Sequence, residues 1–240
     1  MPLARRRALW YAAAGAVLSL GEPIGLLIVR EIYAPRPIAT ELFSERLTYL
    51  YLFLTTAIVL ACLGYFLGRQ TDRLEALSET DALTGLANRR ALRRRLTEEF
   101  RRSVRYGSPV SLLIVDVDHL KRVNDTQGHA AGDRLIRHVA AAIAGTLRGS
   151  DLGARWGGDE FAIVAPNASA KAAHRSAERL VAHLAAEPVP GVSTRATVSI
   201  GIATFDPGAQ GGADPEELIR AADAAMYVAK TSGRNRIRAA

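Results

Sequence analysis

The segment ARWGGDEFAIV, residues 154–164, sets Gly157, Gly158, Asp159 and Glu160 between two short apolar runs. Two glycines and two acids at a hairpin tip make either a plain turn or a site where backbone approaches a phosphate while carboxylates hold a metal. Glycine permits the approach because no Cβ intervenes. A second source of acids is SLLIVDVD, residues 111–118, whose continuous apolar, β-branched character predicts a buried strand ending in Asp116 and Asp118. Carboxylates from neighbouring strands can converge on one point. Hard oxygen ligands of this kind suit Mg²⁺, which keeps waters and phosphate oxygens as its other ligands. Such an ion polarises a phosphoryl group and lowers the pKa of an attacking hydroxyl.

Three further features bear on the choice. Asn124 and Asp133 flank a loop ahead of a helix. An amide and a carboxylate can read the edge of guanine, because a carboxylate accepts from N1–H and the exocyclic amine. Turn chemistry for Asn124 and a first-turn acid for Asp133 are the simpler alternatives. Lys230 and Arg234 lie near the end of the last long helix, where they either hold a triphosphate or satisfy the helix C-terminus. His129 has no second His or Cys at metal spacing.

The elements that must position these groups alternate in type. DALTGLANRR, residues 81–90, reads as a turn with Asn88 as a helix N-cap, followed by a helix over 89–106 that Ser108-Pro109 breaks. After the strand at 111–118, KRVNDTQGH reads as a polar loop, and a helix over 131–147 presents Leu135, Ile136, Val139, Ile143 and Leu147 on one face. The hairpin strands are 152–156 and 160–165. A helix follows over 169–186, then a strand over 195–205, a helix over 215–233 and a last short strand at 236–238. This order predicts an α+β fold, an α/β sandwich with helices over a mixed sheet.

The chain has 240 residues and a net charge of +7, with its apolar residues concentrated in the first seventy. Residues 8–29 and 47–68 are each long and apolar enough to cross a bilayer, and the second segment has no charge. Arg5, Arg6 and Arg7 precede the first, and Arg69 and Arg73 follow the second. The positive-inside rule then puts both termini in the cytoplasm. Glu22 and Pro23 interrupt the first segment. The acid either sits near the outer interface, where Pro23 kinks the span, or serves a function within it. The intervening loop of roughly seventeen residues is too short for a folded sensory domain. Leu63, Leu67, Gln70, Leu74 and Leu77 follow a 4-3-4-3 spacing, which suits a short parallel coil between two copies or an ordinary amphipathic linker. The organisation expected is a membrane region over 1–70, a helical linker over 71–80 and a soluble domain over 81–240. The basic residues of the soluble part are spread over several helices without interleaved aromatics, which argues against nucleic acid as a partner. The only cysteine, Cys62, excludes a disulfide within the chain.

Five separated motifs, DALTGLANRR, DVDHLKRVNDTQGHAAGD, RWGGDEF, VSIGIA and ADAAMYVAKTSGRNR, stand in the order seen in the GGDEF-type diguanylate cyclases. Over residues 78–238 the chain resembles that family, whose fold is similar to nucleotide cyclase and polymerase palm domains. The resemblance implies condensation of two GTP into cyclic di-GMP with release of two pyrophosphates, by a homodimer in which each protomer binds one GTP. It implies Mg²⁺, with Mn²⁺ as the alternative, held by the Asp116 side chain, the Val117 carbonyl and Asp159, with Glu160 in support. Asp159 becomes the base for the 3′-hydroxyl. Asn124 and Asp133 become guanine readers, Gly157 and Gly158 line the substrate, and Lys121, Lys230 and Arg234 become phosphate contacts. Arg148 and Asp151 of RGSD match an RxxD site for inhibitory product, with Arg155 assisting. Leu120 stands where the family usually has phenylalanine, an apolar exchange that should preserve packing. The location implied is the bacterial inner membrane, multi-pass, with the catalytic domain in the cytoplasm. A catalytically silent receptor for cyclic di-GMP or GTP is the alternative; Asp116, Asp159 and Glu160 are all retained, which favours the enzyme.

Overall fold

In the computed structural model, strand β2 (Val110–Val117) is buried along its whole length. It is the strand around which the larger of two compact units, residues 79–240, is built; the smaller unit is residues 1–78. The structure describes residues 3–19, 21–33, 44–77, 79–208 and 214–240. In the larger unit, the remaining strands are β1 (Ala87–Asn88), β3 (Leu152–Arg155), β4 (Glu160–Pro166), β5 (Val198–Phe205) and β6 (Arg236–Ala239). They form one mixed sheet in the order β1-β3-β4-β2-β5-β6. The three central strands pair antiparallel, while β1 with β3 and β5 with β6 pair parallel.

Period-two alternation divides β2 between two cores. Leu113, Val115 and Val117 pack with Leu135, Ile136, Val139 and Leu180, beneath helices α6 (His129–Thr146) and α7 (Ala170–Ala186). Leu112 and Ile114 pack on the other face with Leu92, Leu96, Phe100 and Met226, beneath α4 (Arg89–Tyr106) and α8 (Pro215–Thr231). Each fully buried Leu, Ile or Phe side chain stabilises the fold by about 1.5–3 kcal/mol. The helix ends follow local chemistry. Asn88 caps α4 by accepting from Ala91 N at 3.0 Å, and Gly107 closes it in the left-handed conformation. Asp214 and Glu217 form a capping box at the start of α8. The expected polar loop after β2 is instead helix α5 (Leu120–Gln127). Leu120 packs against the core and Val123 is buried, so two apolar residues three apart are enough to seat this helix.

The smaller unit contains α1 (Leu3–Leu18), α2 (Gly21–Tyr33) and α3 (Arg46–Leu77). Among the described residues one helix is long and apolar enough to cross a membrane, the Arg46–Gln70 part of α3. Among the described residues no one helix covers the span expected over 8–29: α1 ends at Leu18 and α2 begins at Gly21. The chain breaks after α1, where Ser19 Oγ donates to Ala16 O at 2.6 Å, and restarts as α2. Pro23 therefore sits in the first turn of a new helix, where its missing N–H costs nothing, and does not kink a long one. At 1.5 Å per residue the 16 residues of α1 reach about 24 Å, short of a bilayer core of about 30 Å. Helix α3 continues unbroken through the expected linker to Leu77. The loop over 34–43 and the side chains of Glu22, Pro23, Leu74 and Leu77 lie outside the described residues.

Gly201 of β5 shows how closely α8 is packed. A Cβ there would lie 2.1 Å from Ala222 O and 2.2 Å from Met226 N, both backbone atoms. Gly201→Ala is expected to destabilise the fold by about 2–3 kcal/mol, seen as a fall in Tm of roughly 5–10 °C in thermal unfolding of the full chain. Gly145→Ala is the control, since nothing stands within 4 Å of the new methyl; in the last turn of α6 it is expected to raise stability by up to about 1 kcal/mol.

Candidate active site

Residues 116–118 lie at the C-terminal end of the central strand, and the β3–β4 hairpin delivers its tip beside them. Asp116 pairs with Glu160 across β2 and β4, so the two side chains share the face that α4 and α8 cover. Val117 N donates to Asp159 O at 3.0 Å, which carries the ladder one step past the strand. The turn closes with Trp156 N and Gly157 N both donating to Glu160 O, at 2.8 and 3.1 Å. Like charges opposed in a sheet repel. Here Lys230 Nζ donates to Asp116 Oδ2 at 2.7 Å.

Asp116 is 1% exposed. Burial lifts its carboxyl to about 6; the Lys230 ammonium works against this, and the Asp159 and Glu160 charges add to it. For Lys230, burial pulls the ammonium down, but the bond to Asp116 and the nearby acids outweigh it and raise it.

Asp116, Val117, Lys121, Asp159, Lys230 and Arg234 line one open cavity of about 560 Å³. Six of the residues anticipated from sequence are thus brought together. His119, Arg122, Asp125 and Thr126 line it too and were not anticipated. The N-terminus of α5 opens here. His119 is its N-cap, in the left-handed conformation, with no side-chain hydrogen bond to the first-turn N–H groups. An uncapped helix start with lysines around it favours an anion.

Asn124 and Asp133 lie away from that cavity, at the seam between α5 and α6. The Asn124 side chain sits against Gly132, where a Cβ would be 1.9 Å from its Oδ1, and Asp133 is the next residue, exposed. Gly132 is therefore what admits Asn124 to the seam. A glycine inside a helical pattern was the available signal. Leu120 completes this packing: its Cδ1 would lie 3.3 Å from the same Cβ. Gly157 does similar service for Glu160, whose Oε2 occupies the space a Cβ would crowd at 2.8 Å. Gly158 faces open space.

Arg155 braces the hairpin. Its Nε and Nη2 donate to Gly157 O and Gly158 O at 3.1 and 2.7 Å, and Nη1 reaches Asp81 Oδ1 at 3.3 Å. These bonds fix the hairpin tip. Arg89 stacks over the Trp156 ring at 4.4 Å and braces the same hairpin. Arg148 and Asp151 form a separate exposed turn. Asp151 N donates to Arg148 O, and Arg148 N donates back to Asp151 Oδ2, both at 3.0 Å. That turn precedes β3, roughly 13 Å along the strand from the hairpin tip.

The donor set fits a divalent cation of a particular kind. Among the described residues no three His, Cys, Asp or Glu side chains gather into a metal cage. Two carboxylates, Asp116 and Asp159, with the Val117 carbonyl suit Mg²⁺, which completes its shell with phosphate oxygens and water.

The profile described as "Diguanylate cyclase, GGDEF domain" matches residues 78–236. The response regulator PleD of Caulobacter vibrioides is 38% identical over 176 residues, 72% of this chain and 38% of that protein. The diguanylate cyclase DgcP of Pseudomonas aeruginosa is 41% identical over 173 residues, 71% of this chain and 25% of that protein. The chain thus spans well under half the length of these relatives. The crystal structure of the GGDEF domain of DgcB from Caulobacter crescentus, in complex with c-di-GMP, superposes with a TM-score of 0.63 at 35% identity, covering 67% of this chain and 92% of that one. With its strand-end acid, its hairpin and its cationic helix end all inside the matched span, the chain belongs to the GGDEF family.

Proposed function

We propose that the protein condenses two GTP into cyclic di-GMP and two pyrophosphates. The observation that carries this reading is the single cavity in which Asp116 and Asp159 face Lys121, Lys230, Arg234 and the open start of α5. Acids that attract a divalent cation stand there beside cations that attract phosphates.

The chain's own groups divide the work. Lys121, Lys230, Arg234 and the first N–H groups of α5 bind the triphosphate. Asn124 and Asp133 hold guanine at the α5–α6 seam. Asp116, the Val117 carbonyl and Asp159 hold Mg²⁺ or Mn²⁺, and Glu160, seated over Gly157, supports them. When bound, the ion neutralises charge developing on the phosphoryl oxygens. Asp159 takes the proton from a 3′-hydroxyl, whose oxygen attacks the α-phosphorus of the other GTP as pyrophosphate leaves. Two such events close the ring. One chain has one such site, so a second copy must face it, and the active form is a homodimer. Cyclic di-GMP binds Arg148 and Asp151 as inhibitor. On this reading α3, whose Arg46–Gln70 part is long and apolar enough to cross a membrane, anchors the chain in a bacterial inner membrane, with the catalytic unit in the cytoplasm where GTP is found.

Incubating the full chain in detergent with GTP and Mg²⁺ should yield cyclic di-GMP. Asp159→Ala and Glu160→Ala should each lower turnover at least 100-fold, by the usual scale of such losses, with Tm unchanged. Tight cyclic di-GMP binding without turnover in the unaltered chain would replace the enzyme by a receptor. Arg148→Ala should leave the initial rate intact and remove the slowing of progress curves by added product; undiminished inhibition would detach RGSD from regulation.

The Asp116 carboxyl adds a pH dependence. Its value rises from 3.8 to about 6 on folding, so it contributes stability that is complete below pH 3.8 and lost as pH rises through about 6. Above that, the metal-free fold carries a cost of about 3 kcal/mol. Asp116→Asn should therefore raise Tm at pH 7.5 in EDTA, with the difference shrinking toward zero at pH 4, while turnover is lost. An equal Tm difference at both pH values would contradict this account.

A further inference from the structure

We propose that Asp118 is a positioning residue for phosphate binding: it fixes the turn that aims Arg234 into the substrate cavity. Asp118 is 5% exposed, and a buried acid persists only with its oxygens engaged. Both are. Oδ1 accepts from Ser199 Oγ at 2.7 Å, and Oδ2 accepts from Asn235 N at 2.9 Å. Its own N–H is tied to Thr197 O at 2.9 Å. The carboxylate is thereby held rigidly against β5, with one oxygen directed at the chain beyond α8.

That chain needs holding. Arg234 and Asn235 follow one another with φ of 59° and 44°. The left-handed region is unfavourable for residues that carry a side chain, and two in succession persist only where the surroundings impose them. The Asn235 N–H is the donor that Asp118 captures, immediately after Arg234. Arg236 Nε adds a bond to Arg234 O at 2.9 Å, and Arg234 N reaches Ala229 O at 3.1 Å. Arg234 itself lines the cavity.

The arrangement has a simple origin. Residues two apart at the end of β2 face the same way, so Asp116 and Asp118 both point toward α8 and the turn beyond its last residue. Asp116 takes Lys230 and Asp118 takes the turn of Arg234. One acid bonds a cation directly, and the other fixes the backbone that follows a second cation, so the end of α8 and the turn beyond it are both held.

The proposal rests on the reading of Arg234 as a phosphate contact. Its test is a double-mutant cycle in the full chain in detergent. KM and kcat for GTP and the inhibition constant of pyrophosphate, a ligand made only of phosphates, are measured for Asp118→Asn, Arg234→Ala and the double variant. Each single change should weaken GTP and pyrophosphate about tenfold, with kcat held within about threefold. The double variant should be no worse than Arg234→Ala alone. Multiplying effects, or a loss confined to kcat, would overturn the proposal. If Asp118→Asn does not fold, Ser199→Ala replaces it in the same cycle with a smaller effect of the same pattern. Unchanged pyrophosphate inhibition in Arg234→Ala would remove the phosphate reading and this proposal together. Absence of turnover in the unaltered chain would remove only the cyclase reading, because pyrophosphate binding to that chain still closes the cycle by direct titration.

Discussion

Asp116 stands at the end of a strand whose other residues are buried on both faces, and this carboxylate governs its surroundings. Two more acids, Asp159 and Glu160, add their repulsion. A group so placed requires a cation within reach, and Lys230 is delivered by α8. Delivery at 2.7 Å requires α8 to lie hard against the sheet, and Gly201 is where its backbone passes too close for any Cβ. The apolar contacts of α8 and the charge pair at its end are thus one constraint. The helix must sit low to bury Leu218, Ala222 and Met226, and sitting low brings its lysine to the acid.

The hairpin meets that strand end under control from outside. Arg155 grips the carbonyls of Gly157 and Gly158 while leaning on Asp81, and Trp156 is stacked under Arg89. None of these contacts uses the carboxylate of Asp159, which remains directed at the cavity. A tip fixed through its backbone leaves its acids ready for ligands without reorganisation, the condition under which electrostatic stabilisation is most effective.

Much of this was readable from sequence, for physical reasons that differ by element. The run SLLIVDVD reads as a buried strand, and α8 was marked by Pro215 near its start and Gly233 past its end, though not by its Asp214 cap. The hairpin's acids and the six cavity residues followed from motif order. Helix α5 was misread because its sequence, LKRVNDTQ, is polar at six of its eight positions; tertiary seating of Leu120 and Val123 overrode composition. The first apolar segment is divided between α1 and α2, a division that hydropathy alone does not register. The contacts of Arg155 and Asp118 were not readable because their partners, Asp81 and Asn235, are 74 and 117 residues away in the chain. Pairings of that kind depend on sheet order, which no local pattern discloses.

On the proposed reaction, this rigidity has a consequence for control. The groups at the end of β2 are held by internal bonds, and they make one half of a site, with one cavity for one triphosphate. In that proposal the other half is the 3′-hydroxyl of a second nucleotide on a second copy. Regulation therefore has little to gain by deforming the half-site and much to gain by governing encounter between two of them. The Arg148–Asp151 turn suits that logic, because it lies at the far end of β3 from the hairpin tip and is exposed. On the proposed reading, a product bound there would not touch the cavity residues and would act on how two copies approach. Helix α3, unbroken from Arg46 to Leu77, suits it from the other side. If two copies pair along this helix, as the proposed homodimer would allow, the pairing raises the effective concentration of one half-site near the other.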